Sequence, residues 1–384
     1  MWTGTFGLLC GTQTLGFAHN GLLTPAIPLY LTAIGSSELG VGLVLAAFSL
    51  TSFVARPFLG TLADVWSVRG VLRLGCLLLG SACAGLALPN AWSLAVANGF
   101  RGLGWSGLNT GGNTLLAYIA PNRRRAEAAS YLSLCQNAPM SLAPPLALWL
   151  LNGGPLPGFG AVFALASGCA VVAAALTLGM PRLHAERELP ADRIVERGLS
   201  RLFDPGVFLA SMLLFSLSLV QPVTSAFVPL YARSLGIEIG AVSWYYVATG
   251  LSVLVGQAVL GQVGDRLGRA VAMAAGFLVC ALALGLVFAA SSLWLLVLGG
   301  SVFALGSALV LPSSMALAID RANPRRRGTA MASYSMWFQV GNGAGAAAAG
   351  LVADLFGLRA SYLLALAPPL VGLAIVVRNW RGIR

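Results

Sequence analysis

The stretch AVAMAAGFLVCALALGLVFAA, residues 270–290, decides the fold class because it is apolar throughout and holds no charged residue. A bilayer core is about 30 Å thick, so a helix that crosses it needs roughly 20 mostly apolar residues. The stretch does not alternate between apolar and polar residues, as a strand of a membrane barrel would. Residues 270–290 are therefore predicted to form a transmembrane α-helix.

The composition extends this prediction to the whole chain. Of its 384 residues, 58% are hydrophobic and 9% are charged, whereas a typical soluble domain carries about 25% charged residues. The sequence predicts an all-α integral membrane protein with twelve transmembrane helices in two pseudo-symmetric six-helix bundles. The predicted spans are residues 5–31, 39–60, 69–88, 91–118, 127–151, 159–180, 206–233, 239–262, 270–290, 293–319, 328–352 and 358–377.

The positive charges predict the orientation in the membrane. All 23 basic residues are Arg: twenty lie toward the loops of one side, Arg233 and Arg359 lie in the opposite loops, and Arg101 lies inside a predicted span. The positive-inside rule places the Arg-rich loops in the cytoplasm, and an even number of spans then places both termini there. We predict a multi-pass protein of the plasma (cell inner) membrane. Its net charge of +11 is expected to meet anionic lipid headgroups, not nucleic acid.

The two halves of the chain resemble each other. Pro28-Leu29-Tyr30 matches Pro229-Leu230-Tyr231, and Gly60 and Asp64 match Gly261 and Asp265, all at an offset of 201 residues. A long polar stretch separates the halves. We therefore predict an N-terminal bundle at 1–181, a cytoplasmic linker at 182–205 and a C-terminal bundle at 206–384. Internal duplication of this kind recurs in secondary transporters.

One loop carries a family signature. Residues 261–269 read Gly-Gln-Val-Gly-Asp-Arg-Leu-Gly-Arg, which resembles the G-x-x-x-D-R-x-G-R loop of the major facilitator superfamily. The copy at 60–69 keeps the Gly and the Asp but has Val65 in place of the Arg. The resemblance implies gating loops that pair at the cytoplasmic helix ends; the alternative is a charged turn that only fixes topology. The predicted gating residues are Gly60, Asp64, Arg69, Gly261, Asp265, Arg266, Gly268 and Arg269.

Residues 143–147, Ala-Pro-Pro-Leu-Ala, resemble a weakened form of the family's antiporter motif. The resemblance implies a secondary transporter that moves a small organic solute by alternating access, with a tilt toward proton-coupled efflux. The alternatives are an uptake permease for a neutral or anionic solute, and a non-transporting sensor or assembly protein on the same scaffold. A monomer is the default for the family.

Two ionisable residues at membrane depth are functional candidates, because placing a charge there costs at least ~2.5 kcal/mol. Arg101 lies about ten residues into the fourth span, and His19 lies in the middle of the first. We predict that they act in coupling or in recognising substrate charge, the alternative being structural bonds between helices. No Asp or Glu lies near the middle of a predicted span. This distribution favours a neutral, zwitterionic or anionic solute over a dication.

Uncharged polar residues recur at helical spacing within the predicted spans. We predict that they line a substrate path; the alternative for each is a hydrogen bond between helices, worth about 0.6 kcal/mol. The predicted cavity residues are Gln13, Asn20, Thr24, Trp105, Asn109, Asn113, Gln136, Asn137, Gln221, Trp337, Gln339 and Asn342.

Other functional classes lack sequence support. The chain has no Lys for a Walker motif and no cluster with metal-ligand spacing, so we expect no ATP-driven pump, no enzyme, no cofactor and no metal. All six Cys fall in apolar segments. They are predicted to be small core residues that form neither disulfides nor ligand sites.

Overall fold

The computed structural model describes residues 3–86, 88–120, 124–152, 156–180, 205–260, 268–322 and 327–383. Nearly all of these residues are helical, and none of them forms a strand. The all-α prediction is confirmed. The helices of the first half are α1 (Gly4–Ala33), α2 (Glu38–Val65), α3 (Val68–Leu86), α4 (Ala91–Ile119), α5 (Arg125–Leu151) and α6 (Leu156–Leu176).

The helices of the second half include two that are interrupted. They are α7 (Phe208–Ser218), α8 (Gln221–Ser225), α9 (Val228–Ser234), α10 (Ser243–Val259), α11 (Arg269–Phe288), α12 (Leu293–Arg321), α13 (Arg327–Phe356), α14 (Leu358–Leu364), α15 (Ala367–Arg378) and α16 (Trp380–Ile383). The segments α7 to α9 together cover one predicted span, and α14 and α15 cover another. The predicted count of twelve spans is consistent with this order.

Within the described residues, eight helical segments are long and apolar enough to cross a membrane. Large apolar side chains on their surfaces, such as Leu50, Phe58 and Trp294, are about two-thirds exposed, as expected for side chains that face lipid. The long helices α1, α4, α5 and α13 are not among the eight, and they carry most of the predicted cavity residues. The eight segments are Glu38–Ala63, Val68–Leu86, Gly158–Gly179, Pro205–Ser225, Ile239–Gln257, Arg269–Phe288, Leu293–Arg321 and Leu358–Arg378.

The chain forms two compact units. The first comprises Met1–Ala26 and Ala47–Glu196, and the second comprises Ile27–Ala46 and Arg197–Arg384. The second unit includes residues 27–46, which lie within the predicted N-terminal bundle. Most of the predicted linker lies outside the described residues, and its boundaries stay a prediction.

Close backbone packing explains why residues 27–46 belong to the second unit. The start of α2 lies against the end of α13, where a Cβ on Gly42 would come within 2.4 Å of the Ala346 carbonyl oxygen. A Cβ on Gly350 would lie 2.6 Å from the Glu38 carbonyl oxygen. Only glycine permits this approach, as is common between membrane helices.

In the first unit, α3 crosses α4 through interlocking glycines. A Cβ on Gly75 would lie 2.5 Å from the Leu108 backbone nitrogen and 2.8 Å from the Gly104 carbonyl oxygen. A Cβ on Gly107 would lie 2.8 Å from the Gly75 Cα. The crossing fixes α4, and with it the position of Arg101.

The substitution Gly75→Ala tests this crossing. The added methyl group should force the two backbones apart and destabilise the protein by about 1–3 kcal/mol, measured as a lower melting temperature in detergent. Gly168→Ala, on α6 of the same unit, is the matched control because no described atom lies within 4 Å of its Cβ position. Equal melting temperatures for the two variants would contradict the packing described.

Candidate functional site

The first unit contains a buried polar network around Arg101 on α4. The side chain is 3% exposed, and all three of its nitrogens donate to neutral acceptors. Nε donates to His19 Nε2 at 3.3 Å, one terminal nitrogen donates to Asn20 Oδ1 at 3.0 Å, and the other donates to Asn98 Oδ1. No described carboxylate accepts a hydrogen bond from Arg101. The network therefore holds a positive charge without an acidic partner.

The contacts of His19 fix its tautomer. Its Nδ1 lies 2.9 Å from the Ala166 carbonyl oxygen, which can only accept, so Nδ1 carries the proton. Its Nε2 accepts from Arg101 and therefore has none. His19 is neutral in this arrangement, and a proton on Nε2 would require the bond from Arg101 to break.

Aromatic rings border the network. The guanidinium carbon of Arg101 lies 5.2 Å from the centroid of the Phe48 ring, within the range of a cation–π contact. Trp105, one turn along α4, packs against Phe17 with ring centroids 4.6 Å apart. The predicted site residues Arg101, His19, Asn20 and Trp105 thus lie close together in one unit.

A second polar contact joins α1 to α5. Gln13 is buried and donates from Nε2 to the Leu108 carbonyl oxygen at 3.0 Å. Its Oε1 accepts from Gln136 Nε2 at 3.1 Å. The structure brings these two predicted cavity residues together. Their contacts are hydrogen bonds between helices, which is the alternative to lining a substrate path.

The remaining predicted residues of the first unit are not part of these contacts. Thr24 and Asn109 bond backbone carbonyls of their own helices, at Asn20 and Trp105 respectively. Asn113 is exposed, and Asn137 is half-buried on α5. The structure gives no contact that joins these four side chains to Arg101.

In the second unit, three of the four predicted residues lie on α13. Trp337 packs edge-on against Phe208 and Phe215 of α7, with ring centroids 6.2 and 5.7 Å apart. Gln339 is buried and Asn342 is half-buried on the same helix. Gln221 begins the short helix α8.

Helix α8 is the middle segment of one span that is broken into α7, α8 and α9. Backbone carbonyls of α8 accept hydrogen bonds from tyrosine side chains. Pro229 has no N–H, so the Ser225 carbonyl lacks the partner that a continuous helix would give it. The hydroxyl of Tyr246 donates to that carbonyl at 2.5 Å. The hydroxyls of Tyr245 and Tyr362 donate to the neighbouring carbonyls of Thr224 and Val223, at 2.7 and 2.8 Å.

These three tyrosines and Asn98 were missed by the sequence reasoning. Asn98 lies three residues before Arg101, a spacing that places both on one helix face. The orphaned carbonyl could have been inferred from Pro229, but no sequence signal identifies Tyr246 as its partner. That pairing depends on how α10 packs beside α8.

The substitution Tyr246→Phe tests the role of the hydroxyl. It should remove the Tyr246 donor from the carbonyl of the half-buried Ser225 and destabilise the protein by about 1–3 kcal/mol. The measurement is the melting temperature of the purified protein. Tyr118→Phe is the control, because Tyr118 is 43% exposed. A melting temperature for Tyr246→Phe equal to that of the control would show that the hydroxyl contributes nothing.

The predicted gating loops are only partly described. Gly261, Asp265 and Arg266 lie outside the described residues. Gly268 precedes α11 with a φ of 90°, a conformation that favours glycine. Arg269 forms an ion pair with Asp320 at the end of α12, and Arg69 donates to the Met180 carbonyl oxygen.

The first copy of the loop is also described only in part. No described atom lies within 4 Å of a Cβ position on Gly60. The side chain of Asp64 is not among those described. The gating role of the two loops therefore stays a prediction.

The fold and the buried network define a multi-pass α-helical membrane protein. The chain belongs to the Major Facilitator Superfamily, because the sequence model of that family matches residues 9–241 and 212–381. The predicted family is confirmed.

Individual relatives agree with this assignment. A segment of 129 residues is 30% identical to the quinolone resistance protein NorA of Staphylococcus aureus, covering 33% of each chain, so the match spans a third of that relative's length. The MFS-type transporter MJ1560 of Methanocaldococcus jannaschii is 21% identical over 371 residues, 94% of this chain and 92% of the relative. A solved bacterial homologue of the human lysosomal transporter Spinster has a TM-score of 0.80 at 15% identity, covering 99% of this chain and 97% of that one. This last similarity concerns the fold.

Proposed function

We propose that this chain is a secondary active transporter that exports a small organic solute carrying an anionic group, and that Arg101 recognises that group. The single observation that carries the proposal is the buried guanidinium of Arg101, whose hydrogen bonds within the described residues all go to neutral acceptors. The transport mode proposed is alternating access, as the family resemblance implies.

The energetics of burial support an anionic solute. A cation removed from water without an opposite charge carries a desolvation penalty of several kcal/mol, which neutral acceptors offset only in part. A carboxylate that replaces a neutral acceptor would supply the missing charge. Arg also offers five N–H donors in a planar fork that fits a carboxylate or phosphate. Each nitrogen of the guanidinium already donates at least one hydrogen bond. The guanidinium is therefore positioned to exchange a neutral acceptor for a carboxylate.

Efflux is the proposed direction. The weakened antiporter motif at 143–147 points that way, and it lies on α5, where Ala143 packs against Gly21 of α1. NorA, whose name describes quinolone resistance, is a relative over a third of the chain. Both observations support export over uptake.

His19 is the proposed proton carrier. Its neutral form accepts from Arg101, whereas its protonated form would place two positive charges side by side. Proton uptake by His19 and the bond from Arg101 therefore exclude each other. Protonation would release the guanidinium, which links proton binding to the group that holds the solute.

We also propose that the protein lies in the cell inner membrane with both termini in the cytoplasm. The ion pair Arg269–Asp320 and the bond from Arg321 to the Gly382 carbonyl oxygen lie at the Arg-rich helix ends. Arg359, on the opposite side by this topology, donates to the Phe288 carbonyl oxygen.

The substitution Arg101→Gln tests charge recognition. The probe is nalidixic acid, a quinolone carboxylic acid, compared with its neutral ethyl ester in binding and in transport by proteoliposomes. Loss of the charged hydrogen bond should weaken binding of the acid about 10- to 100-fold and leave binding of the ester unchanged. Arg101→Lys should bind the acid more tightly than Arg101→Gln but less tightly than the unmodified protein. Lys keeps the positive charge but lacks the planar fork of N–H donors.

Arg359→Gln is the matched control. Arg359 also lies over a phenylalanine ring, at 4.9 Å from the Phe288 centroid, and also bonds a neutral carbonyl, but it is exposed. This variant should bind and transport the acid as the unmodified protein does. If the acid and the ester were bound equally by the unmodified protein, or if Arg101→Gln lost both alike, the proposed recognition would be wrong.

The substitution His19→Gln tests the proton carrier. Gln can accept from Arg101 and donate to the Ala166 carbonyl as His19 does, but it does not titrate. Binding of nalidixic acid should be retained, while the dependence of efflux on an imposed pH gradient should be lost. The measurement is efflux from proteoliposomes over a series of internal and external pH values. An unchanged pH dependence in His19→Gln would remove His19 from the coupling step.

A further inference from the structure

A groove opens between α3 and α4 of the first unit, and none of the residues that bond Arg101 lines it. Its volume is about 550 Å³, which lies in the range of pockets that hold small ligands. We propose that this groove binds one acyl chain of a membrane lipid as a fixed component of the protein. Its lining includes Leu78, Gly85 and Leu88 on one face of α3 and Trp92, Val96 and Phe100 on one face of α4.

Small residues form the floor of the groove. A Cβ on Gly85 would lie 2.9 Å from the Ala97 Cβ, so the two helices nearly touch there. Larger side chains flank this floor, because Val96 and Phe100 are 59% and 48% exposed. The groove therefore results from the way the two helices pack. If it stayed empty, its walls would lose the dispersion contacts that a packed surface makes.

The walls of the groove are apolar. The hydroxyl of Ser81 donates to the Leu78 carbonyl oxygen, and that of Ser93 donates to the Asn90 carbonyl oxygen. Both hydroxyls thus bond the backbone of their own segment. Residues 74–100 contain no charged side chain and no His. A charged ligand would lose its hydration in the groove without gaining an opposite charge, so the occupant is expected to be apolar.

The bilayer is the source of such an occupant. The groove continues the lipid-facing surface, since Leu77 beside it and Leu88 within it are each about half exposed. From Leu78 to Leu88 it follows α3 for about 15 Å, at 1.5 Å per residue. That length is half of the hydrocarbon core, which is about 30 Å thick. One acyl chain of one leaflet fits it, and the predicted topology makes this the outer leaflet.

Trp92 lies at the headgroup end of the groove. Its backbone N–H donates to Asn90 Oδ1 at 2.9 Å, which fixes the start of α4. The side chain is 81% exposed. Trp is enriched at membrane–water interfaces because its ring is apolar and its N–H finds a polar partner. The indole N–H can therefore donate to an ester oxygen of the lipid whose chain fills the groove.

The test uses the full chain in nanodiscs of phosphatidylcholine that contain a small share of lipid with a diazirine in the middle of one acyl chain. After photolysis, peptide mapping should place most of the label on residues 78–100. Leu278 and Leu282 of α11 supply the reference, because they are exposed apolar residues of another span. Equal labelling of the two segments would mean that the groove only meets bulk lipid, and it would overturn the proposal.

Ser81→Leu and Ser93→Leu should fill the groove. Each should lower the label on residues 78–100 to the level of the α11 reference, because leucine takes the space of the chain. Ala84→Leu is the matched control, since Ala84 is exposed on α3 and does not line the groove. This variant should keep the label. Retention of the label in both serine variants, or its loss in Ala84→Leu alone, would contradict the proposed site.

Thermal stability supplies a second measurement. Phosphatidylcholine added to the delipidated protein in detergent should raise the melting temperature of the unmodified protein and of Ala84→Leu. It should raise that of Ser81→Leu less. Phosphatidylglycerol should act as phosphatidylcholine does, because residues 74–100 carry no positive charge. A rise with phosphatidylglycerol alone would show recognition of a headgroup charge and would overturn the proposal.

The ethyl ester of nalidixic acid tests whether the groove holds the solute instead. The ester should leave the label on residues 78–100 unchanged, and its displacement of the label would overturn the proposal. The label map uses the unmodified protein, so a serine variant that fails to fold does not prevent the test. None of these measurements depends on transport, so they separate this proposal from the proposed function.

Discussion

The central constraint on this protein is the burial of one positive charge that has no acidic partner among the described residues. Arg101 is held by His19, Asn20 and Asn98, all neutral acceptors from α1 and α4. Loss of an acceptor without a replacement would destabilise this arrangement, since the guanidinium is buried. The glycine crossing of α3 and α4 positions Arg101, and the polar residues of α1 supply two of its three acceptors. An anion that bound to Arg101 would supply the negative charge that its neutral acceptors lack.

In the second unit, the polar groups that need hydrogen-bond partners are backbone carbonyls. In lipid an unpaired carbonyl costs several kcal/mol, so a helix can break only where side chains replace the lost bonds. Tyr245, Tyr246 and Tyr362 supply three hydroxyls to three consecutive carbonyls of the interrupted segment. Discontinuous helices are a recurrent feature of secondary transporters. The two units thus contain different polar features, a buried charge in one and a bridged helix break in the other.

The sequence predicted those features that depend on residue type alone. Arg101 and His19 were recognisable because ionisable residues are rare at membrane depth, and Asn20 was recognisable from its helical spacing. The helix bounds followed from apolar length, except in the two interrupted spans, where Pro222 and Pro229 lie at one break and Pro368 at the other. Features that require two helices to meet were not predictable. The bond from Tyr246 to Ser225 depends on packing between helices that no single periodicity encodes.

The central claim is that Arg101 completes its buried network with an anionic group of the solute. The most direct measurement is an experimental structure of the protein with bound nalidixic acid. The account predicts a carboxylate oxygen about 2.7–2.9 Å from a guanidinium nitrogen of Arg101, in the place of Asn20 or Asn98. A carboxylate bound away from Arg101, with all three neutral acceptors still in place, would contradict it.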